Sequence, residues 1–599
     1  MPSCNSQVAK IESERLLGAL VETELAKRKG YTSAFAAQFH YFGYEGRCPP
    51  PTNFDCNYCA ALGLTAGALI ASGYSGMMAC LGGLTKPPEE WAVRGVPLTS
   101  MLCIERRKGK LKPVIRKALV ELGAPPFSSF KRRRAEWLGQ ESFSQPGPAQ
   151  FDGATAFDLT HTLRLERGAL AVDAADDGAT KLRRIRCGHT PSLPAPLANG
   201  ALRVLHGEVP VASADDEFVR EALPATYGAP RLELVTGDDG QRRGSLVDVS
   251  PALRIGVVFC GRQCPGAHNV VAGIWRFLRE RAGPKAALYG FVGGTAGLFA
   301  GEARELKEAD VNEFLNAGGM ALLRRTSDAI RSEAQRAAAV ASCTRLNLDG
   351  LVLVGGCTTN SDTAILAEHF AAASVRTKVV GVPASIDGDL LGAQLEASIG
   401  FDTACRVYAG IIGNLATDAA SARKYWYFVR IMGRSPSHIT LECAHLTRPN
   451  VVLIGEEIEA KRGSLASVVA EITDAVEARA AAGKHFGTVL IPEGLVEYIP
   501  EVHELLNEIS AARRSGHESD EGIAGFLTPW SAALLQSMPE FIRRQLSLSA
   551  QARVRPRPYL GPSVPPTADA PARLLEAPAR GAPRGSHAQG ADAFPRAGV

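Results

Sequence analysis

From Leu253 onward, short apolar runs recur at residues 253–260, 286–291, 350–354, 378–382, 451–454 and 488–491. Stretches with helical spacing lie between them, at 268–281, 362–373, 403–421 and 465–482. Strands that are apolar on both faces, joined by helical crossovers, predict a doubly wound, Rossmann-like parallel α/β sheet. In such sheets the ligand sits at the carboxyl ends of the strands. The informative residues are therefore those just after each run. The N-terminal pattern differs. Residues 10–27 predict a helix with Leu16, Leu17, Leu20 and Val21 on one side, and the aromatic-rich segment 35–44 predicts a strand. Residues 56–85 carry no charge, yet the glycines and the turn Gly73-Tyr74-Ser75-Gly76 predict a helix, a turn and a short buried strand rather than a membrane span. Gly, Pro and Asp clusters make 151–250 a linker with peripheral elements. Residues 551–599, rich in Pro, Ala, Arg and Gly, predict a disordered tail.

Composition narrows the classes. With 66 Lys plus Arg against 62 Asp plus Glu, the 599-residue chain is almost balanced in charge, which argues against a nucleic-acid partner. Thirteen sparse cysteines and a charged N-terminus point to a reducing, cytoplasmic setting with no membrane partner. Cys56-Asn57-Tyr58-Cys59 is a lone C-x-x-C with no second pair, so a zinc site is not expected. Lys131 to Arg134 reads as a solvated patch.

The strand ends carry the candidate chemistry. Cys260-Gly261-Arg262-Gln263-Cys264-Pro265-Gly266 precedes a helix, and so does Gly355-Gly356-Cys357-Thr358. Glycine-containing turns that open helices offer backbone N–H groups and a positive dipole end to phosphate. They also lack the G-x-G-x-x-G spacing of a dinucleotide oxidoreductase. A third strand runs into Ser385-Ile386-Asp387-Gly388-Asp389, whose paired carboxylates suit a general base beside Mg²⁺. Arg423, Lys424, Tyr425, Met432, Gly433 and Arg434 add cations for a phosphorylated substrate, and Glu493 is placed to receive sugar hydroxyls. His268 and His438 are open between hydrogen-bonding and substrate roles. Together these residues resemble a phosphosugar site.

The order of motifs GRQCPGAHN, the GG-loop, SIDGDL, GFDTA, KYWYFVRIMGRSPSHITLEC and IPEGLVEYIPE resembles the long-chain, pyrophosphate-dependent phosphofructokinases. The resemblance runs from about Leu223 to Leu546. It implies phosphoryl transfer from diphosphate to the 1-hydroxyl of fructose 6-phosphate, giving fructose 1,6-bisphosphate in glycolysis, with Mg²⁺ as cofactor. It also implies an oligomer with another phosphofructokinase module. By that resemblance Asp387 is the base, and Ser385, Ile386, Asp389, Lys424, Tyr425, Met432, Gly433, Arg434 and Glu493 contact the sugar phosphate. The Lys424 region would do so across a subunit boundary. Gly261, Gly355, Gly356, Cys357 and Thr358 form the donor loops.

Residues 1–150 resemble the same family through AQFHYFGYEGRCPPPTNFDCNYCAALG and ERRKGKLKPVIRKALVELGAPPF. There Tyr44, Glu45, Gly46 and Arg47 match further sugar-phosphate contacts. In the family this element follows the PEGL element, whereas here it precedes everything else. We therefore read 1–150 as the C-terminal part of a first module and 251–550 as a truncated second one. The alternative is that 1–150 folds back on the second module as in a circular permutant. The donor side departs from the family pattern. Cys357 and Thr358 replace two aspartates, one of them a metal ligand, Ala384 replaces a lysine, and Arg262 replaces a glycine. Ser327 stands before Asp328 where an arginine is usual. These losses resemble the regulatory alpha subunit of the plant enzymes, although Asp387 is kept. The expectation is a sugar-phosphate-binding module with a degraded diphosphate site. An ATP-dependent phosphofructokinase and a scaffold subunit without ligand are the alternatives.

Overall fold

The computed structural model describes residues 11–107, 110–145, 161–167, 178–198, 200–210, 216–237, 244–326, 329–390, 392–517 and 519–548. The expected tail at 551–599 and the Ser327–Asp328 pair lie outside the described residues. In chain order the strands are β1 Ala37–Phe42, β2 Met77–Gly82, β3 Ala92–Pro97, β4 Leu102–Arg107, β5 Lys110–Ile115, β6 Leu202–His206, β7 Leu232–Thr236 and β8 Ser245–Leu246. They continue with β9 Arg254–Phe259, β10 Ala287–Phe291, β11 Ala303–Glu305, β12 Gly350–Gly355, β13 Lys378–Pro383, β14 Trp426–Ile431, β15 Val451–Val452 and β16 Gly487–Pro492. The helices that frame the site are α1 Ser13–Leu25, α2 Asn53–Ala71, α3 Ala267–Phe277, α4 Cys357–Ala372, α5 Phe401–Ala422 and α6 His438–Thr447.

Two sheets carry the fold. The larger runs β11-β10-β9-β12-β13-β2-β3-β7-β6-β8, and the smaller runs β1-β14-β16-β15. The pairs β10–β9, β9–β12, β12–β13 and β13–β2 are parallel, as the apolar runs require. Their side chains, such as Val257, Leu353 and Val380, are buried. Beyond β2 the pairing turns antiparallel, and strands from residues 202–246 extend that edge.

The stretch 11–145 does not stand apart from the rest. β1 pairs in parallel with β14 from Ala37↔Trp426 to Phe42↔Ile431. β2 pairs with β13 through Met77↔Val380 and Met78↔Gly381. Thus residues from both family-like stretches are shared by both sheets, within one compact unit spanning residues 1–550. Helix α2 is long and apolar enough to cross a membrane, but it is packed inside the protein. It crosses α3 where two glycines meet. A Cβ at Gly63 would lie 2.1 Å from the Val270 carbonyl oxygen, and one at Gly273 would lie 2.1 Å from that of Ala60. Only hydrogen at both positions allows the backbones this close. Cys56 and Cys59 of the C-x-x-C are free and buried in this helix.

Two elements differ from the sequence expectation. Helix α4 starts at Cys357, directly after Gly356, so Cys357 and Thr358 form its first turn rather than a loop. Strand β14 is fully buried but is missing from the expected apolar runs, because Arg430 interrupts it. The structure resolves the conflict through α1. Arg430 Nε lies 2.6 Å from Glu14 Oε2, and its guanidinium sits 3.9 Å from the centre of the Tyr41 ring. A buried charge is tolerated where an opposite charge and hydrogen bonds accompany it.

Candidate active site

Strand register assembles the site. Phe42, Ile431 and Pro492 end three adjacent parallel strands at one level, so residues 43–47, 432–434 and 493 leave the small sheet along one edge. In the large sheet Phe259, Val354 and Pro383 end neighbouring strands, so residues 260–266, 355–358 and 384–389 leave along another. The two edges meet at Asp387.

Asp387 is buried, with 4% of its surface exposed, because it follows a strand and lies in the turn with Gly388 (φ +66°) at its tip. Arg262 Nη1 donates to Asp387 Oδ2 at 2.9 Å, while Oδ1 has no hydrogen-bond partner. Burial pushes the Asp387 pKa up, Arg262 pulls it down, and Asp389 pushes it up again, leaving it raised. Asp389, also buried, accepts the Ser385 hydroxyl on Oδ1 at 2.6 Å and has Lys117 Nζ 3.5 Å from Oδ2. The Ile386 side chain points into the core.

On the other edge, Glu493 Oε1 accepts the Tyr41 hydroxyl at 3.1 Å and Oε2 accepts the Gly433 N–H at 3.3 Å. Met432 is buried, and its N–H donates to Phe42 O at 2.8 Å, which fixes the strand end beside the Tyr44–Arg47 turn. Burial and the nearby Arg262 lower the Arg434 pKa, against Asp387, Glu497 and Glu493, which raise it. These groups are therefore within electrostatic reach of one another. The Arg325 pKa is likewise depressed by burial, then by Arg47, with Arg262 contributing. Arginines crowded in this way, with Arg47 Nε and Arg325 Nε buried and unbonded, suit an anion with several oxygens. A cavity of 690 Å³ opens beside them, lined by Cys48, Gln263, Gly319, Arg324 and Arg325.

The expected residues are not all brought together. Ser385, Asp387, Asp389, Gly433, Arg434 and Glu493 converge, and Arg47 lies beside Arg325. Tyr44 and Glu45 are exposed, Tyr44 at 73%. Gly46 packs on Tyr408, where a Cβ would come within 2.3 Å of the ring. Lys424 and Tyr425 precede β14 rather than follow it, so six residues of strand, about 20 Å, separate them from Arg434. Lys424 Nζ lies over the Tyr425 ring instead. On the donor side Gly261 takes φ +72°, and Gly356 caps α4 close to Ser385. Thr358 is exposed. Burial pushes the Cys357 thiol pKa far up, and Sγ donates to Asp389 O at 3.4 Å.

Both undecided histidines have structural partners. His268 Nδ1 lies 3.1 Å from Ala317 O, and Nε2 accepts from Leu322 N–H at 3.2 Å. His438 Nε2 lies 3.2 Å from Ala118 O. In the basic run, Lys131, Arg132 and Arg133 are exposed as expected, while Arg134 pairs with Glu457 at 2.8 Å.

Lys117, Tyr41 and Arg325 belong to the site although the sequence did not single them out. Lys117 lies within a quoted family-like segment, and Tyr41 is half-buried next to the buried Phe42 at the end of β1. Their roles arise only from pairing distant strands.

The donor set does not fit Mg²⁺. That ion prefers octahedral oxygen ligation at about 2.0–2.1 Å. Here Asp387 and Asp389 each commit an oxygen to a protein cation, and the neighbouring Cys357 thiol is held protonated by burial. Among the described residues no cluster of three or more His, Cys, Asp or Glu side chains could hold a metal.

Comparison with known proteins agrees with this architecture. Residues 254–528 match the phosphofructokinase family model. The chain is 42% identical over 373 residues to the pyrophosphate–fructose 6-phosphate 1-phosphotransferase subunit alpha of Solanum tuberosum, covering 62% of this chain and 60% of that one. It is 43% identical over 346 residues to the enzyme of Treponema pallidum (strain Nichols), covering 56% and 60%. It is 38% identical over 392 residues to the Solanum tuberosum subunit beta, covering 64% and 68%. The chain thus spans about 60% of the length of the first relatives it matches. Arg434, Glu493 and the acidic turn at Asp387, set at the carboxyl ends of parallel strands, lie within the matched region, and the chain belongs to the phosphofructokinase family.

Proposed function

We propose that this chain binds fructose 6-phosphate at the junction of the two sheets and serves as a regulatory partner of a diphosphate-dependent phosphofructokinase in the cytoplasm. Arg434 takes the sugar phosphate, Glu493 receives sugar hydroxyls, and the unbonded Asp387 Oδ1 faces the 1-hydroxyl. The observation that carries this reading is the contrast at Asp387. One of its oxygens is held by Arg262 while the other is buried without a hydrogen-bond partner. The Arg262 guanidinium pulls against the burial that raises the basicity of this carboxylate, and it holds one oxygen away from a substrate hydroxyl. Phosphoryl transfer depends on positioned cations around the donor, and here the aspartates of the donor loop are Cys357 and Thr358. Turnover of diphosphate is therefore weak or absent, while sugar-phosphate binding persists.

The family-like stretches 1–150 and 251–550 complete one another in this reading, since both sheets draw on both. Lys424 and Tyr425, remote from Asp387 in their own chain, would serve a neighbouring phosphofructokinase module in a homo- or hetero-oligomer.

Calorimetric titration of the purified chain with fructose 6-phosphate, beside an assay with diphosphate and Mg²⁺, tests this. Saturable binding with little turnover is expected. Robust turnover abolished by Asp387→Asn would overturn the regulatory reading, and turnover with ATP alone would favour the ATP-dependent one. Absence of any binding would leave only a scaffold.

A further inference from the structure

The acidic turn carries two carboxylates in a buried setting, which without compensation would be strongly unfavourable. Asp387 has Arg262 at 2.9 Å, and Asp389 has Lys117 at 3.5 Å. Both cations come from outside the turn. Arg262 extends from the first loop, after β9. Lys117 follows the β4–β5 hairpin, which is anchored on α4 where Ile115 N–H donates to Ser361 Oγ at 2.8 Å. Lys117 is further held by Ala118 N–H donating to Asp389 O at 2.9 Å and lies 3.5 Å from Ser435 Oγ.

The arrangement leaves little for a divalent ion. Asp387 Oδ1 is unpartnered, but a divalent ion at about 2.0–2.1 Å from either oxygen of this carboxylate would face the guanidinium that Oδ2 holds. Both Asp389 oxygens are taken, one by Ser385 and one by Lys117. We propose that Arg262 and Lys117 are built-in counter-cations that neutralise the acidic turn and exclude a resident divalent metal, so that sugar phosphate binds without one. This deepens the reading above and rests on it only for the identity of the sugar ligand.

The metal alone provides the test. Mn²⁺, a spectroscopic substitute for Mg²⁺, is titrated into the full chain and followed by electron paramagnetic resonance, for wild type, Arg262→Gly and Arg262→Gln. The glutamine variant keeps a polar side chain should the glycine variant fold poorly, and circular dichroism confirms folding. Wild type should show no site sensitive to Asp387→Asn. Both Arg262 variants should bind Mn²⁺ at least about tenfold more tightly, an affinity lost again when Asp387→Asn is added. Wild-type affinity for fructose 6-phosphate should change less than about twofold with EDTA. A wild-type Mn²⁺ site removed by Asp387→Asn, no gain in folded Arg262 variants, or a tenfold loss of sugar affinity with EDTA would each overturn the proposal. If wild type excludes Mn²⁺ and the Arg262 variants gain it, but no fructose 6-phosphate binds, the counter-cation role stands and the sugar-phosphate reading fails.

Discussion

Along the small-sheet edge, Glu493 is held by the Tyr41 hydroxyl and the Gly433 N–H, with Arg434 beside it. Along the large-sheet edge, Asp387 is held by Arg262, Asp389 by Lys117, and a buried thiol occupies the first turn of α4. The first edge fixes its carboxylate with neutral donors. The second satisfies its charges internally. Burial is similar on both sides, with Glu493 5% and Asp387 4% exposed, so desolvation does not explain the difference. Counter-charge does. An edge that neutralises itself binds little from outside.

The largest effect should come from beneath the small-sheet edge. The Glu14–Arg430 pair is buried, each side chain 5% exposed, and it supports the stretch of β14 that leads to Arg434. Removing one partner of a buried pair leaves a charge inside the protein, at a cost of about 3 kcal/mol or more. Glu14→Ala should lower unfolding stability by that amount in urea denaturation. A loss below about 1 kcal/mol would mean that α1 adds nothing to this edge.

Next comes Arg434→Ala. Truncating a charged partner of a bound phosphate weakens affinity by about 2 kcal/mol or more, roughly 30-fold. Calorimetry should show this loss for fructose 6-phosphate with little change in melting temperature. An equal loss from Arg325→Ala would blur the distinction between the edges, because Arg325 lies on the donor side.

How far these edges could be read from sequence depends on which contacts are local. The turns at 260–266, 355–358 and 384–389 are legible because each directly follows an apolar run, and strand ends are where such sheets carry ligands. β14 was not legible, since Arg430 breaks its apolar run and its counter-charge lies more than 400 residues away on α1. Lys117 was hidden for the same reason, because its partner Asp389 is reached only after two chain segments share a sheet. Lys424 illustrates the converse. It adjoins the Met432–Arg434 motif in sequence, but an intervening strand carries it to the opposite end of the sheet.

A pH experiment separates scaffold from chemistry beneath the donor edge. Burial holds His268 at about 4, below the usual histidine value of about 6.5. Between these values the unfolded chain binds the proton and the folded one does not, so this residue makes stability rise with pH across roughly 4 to 6.5. Acidifying from pH 7 to pH 5 should therefore cost the wild type about 2 kcal/mol relative to His268→Gln. Asp55 works in the opposite sense. Burial raises it to about 6, so its contribution falls as pH climbs from about 4 to 6. The difference between wild type and variant isolates the histidine. A flat difference would show that the ring is not held neutral and that the fold beneath the donor edge is looser than its hydrogen bonds imply.

The smallest effect probes the neutral donors that distinguish the small-sheet edge. Tyr41→Phe removes the hydroxyl that donates to Glu493 Oε1 but keeps the ring under the Arg430 guanidinium. One hydrogen bond to a charged acceptor contributes about 1 to 2 kcal/mol, so fructose 6-phosphate affinity should fall about five- to thirtyfold while the fold stays intact. Tyr41→Leu should add the loss of the cation–π contact and destabilise the protein as well. If Phe and Leu reduced affinity equally and left stability alike, Tyr41 would only fill space. Glu493 would then owe its position to the Gly433 N–H and to its own N–H donating to Ile431 O at 2.9 Å. In that case the sheet backbone, rather than a side-chain relay from α1, would orient the Glu493 carboxylate.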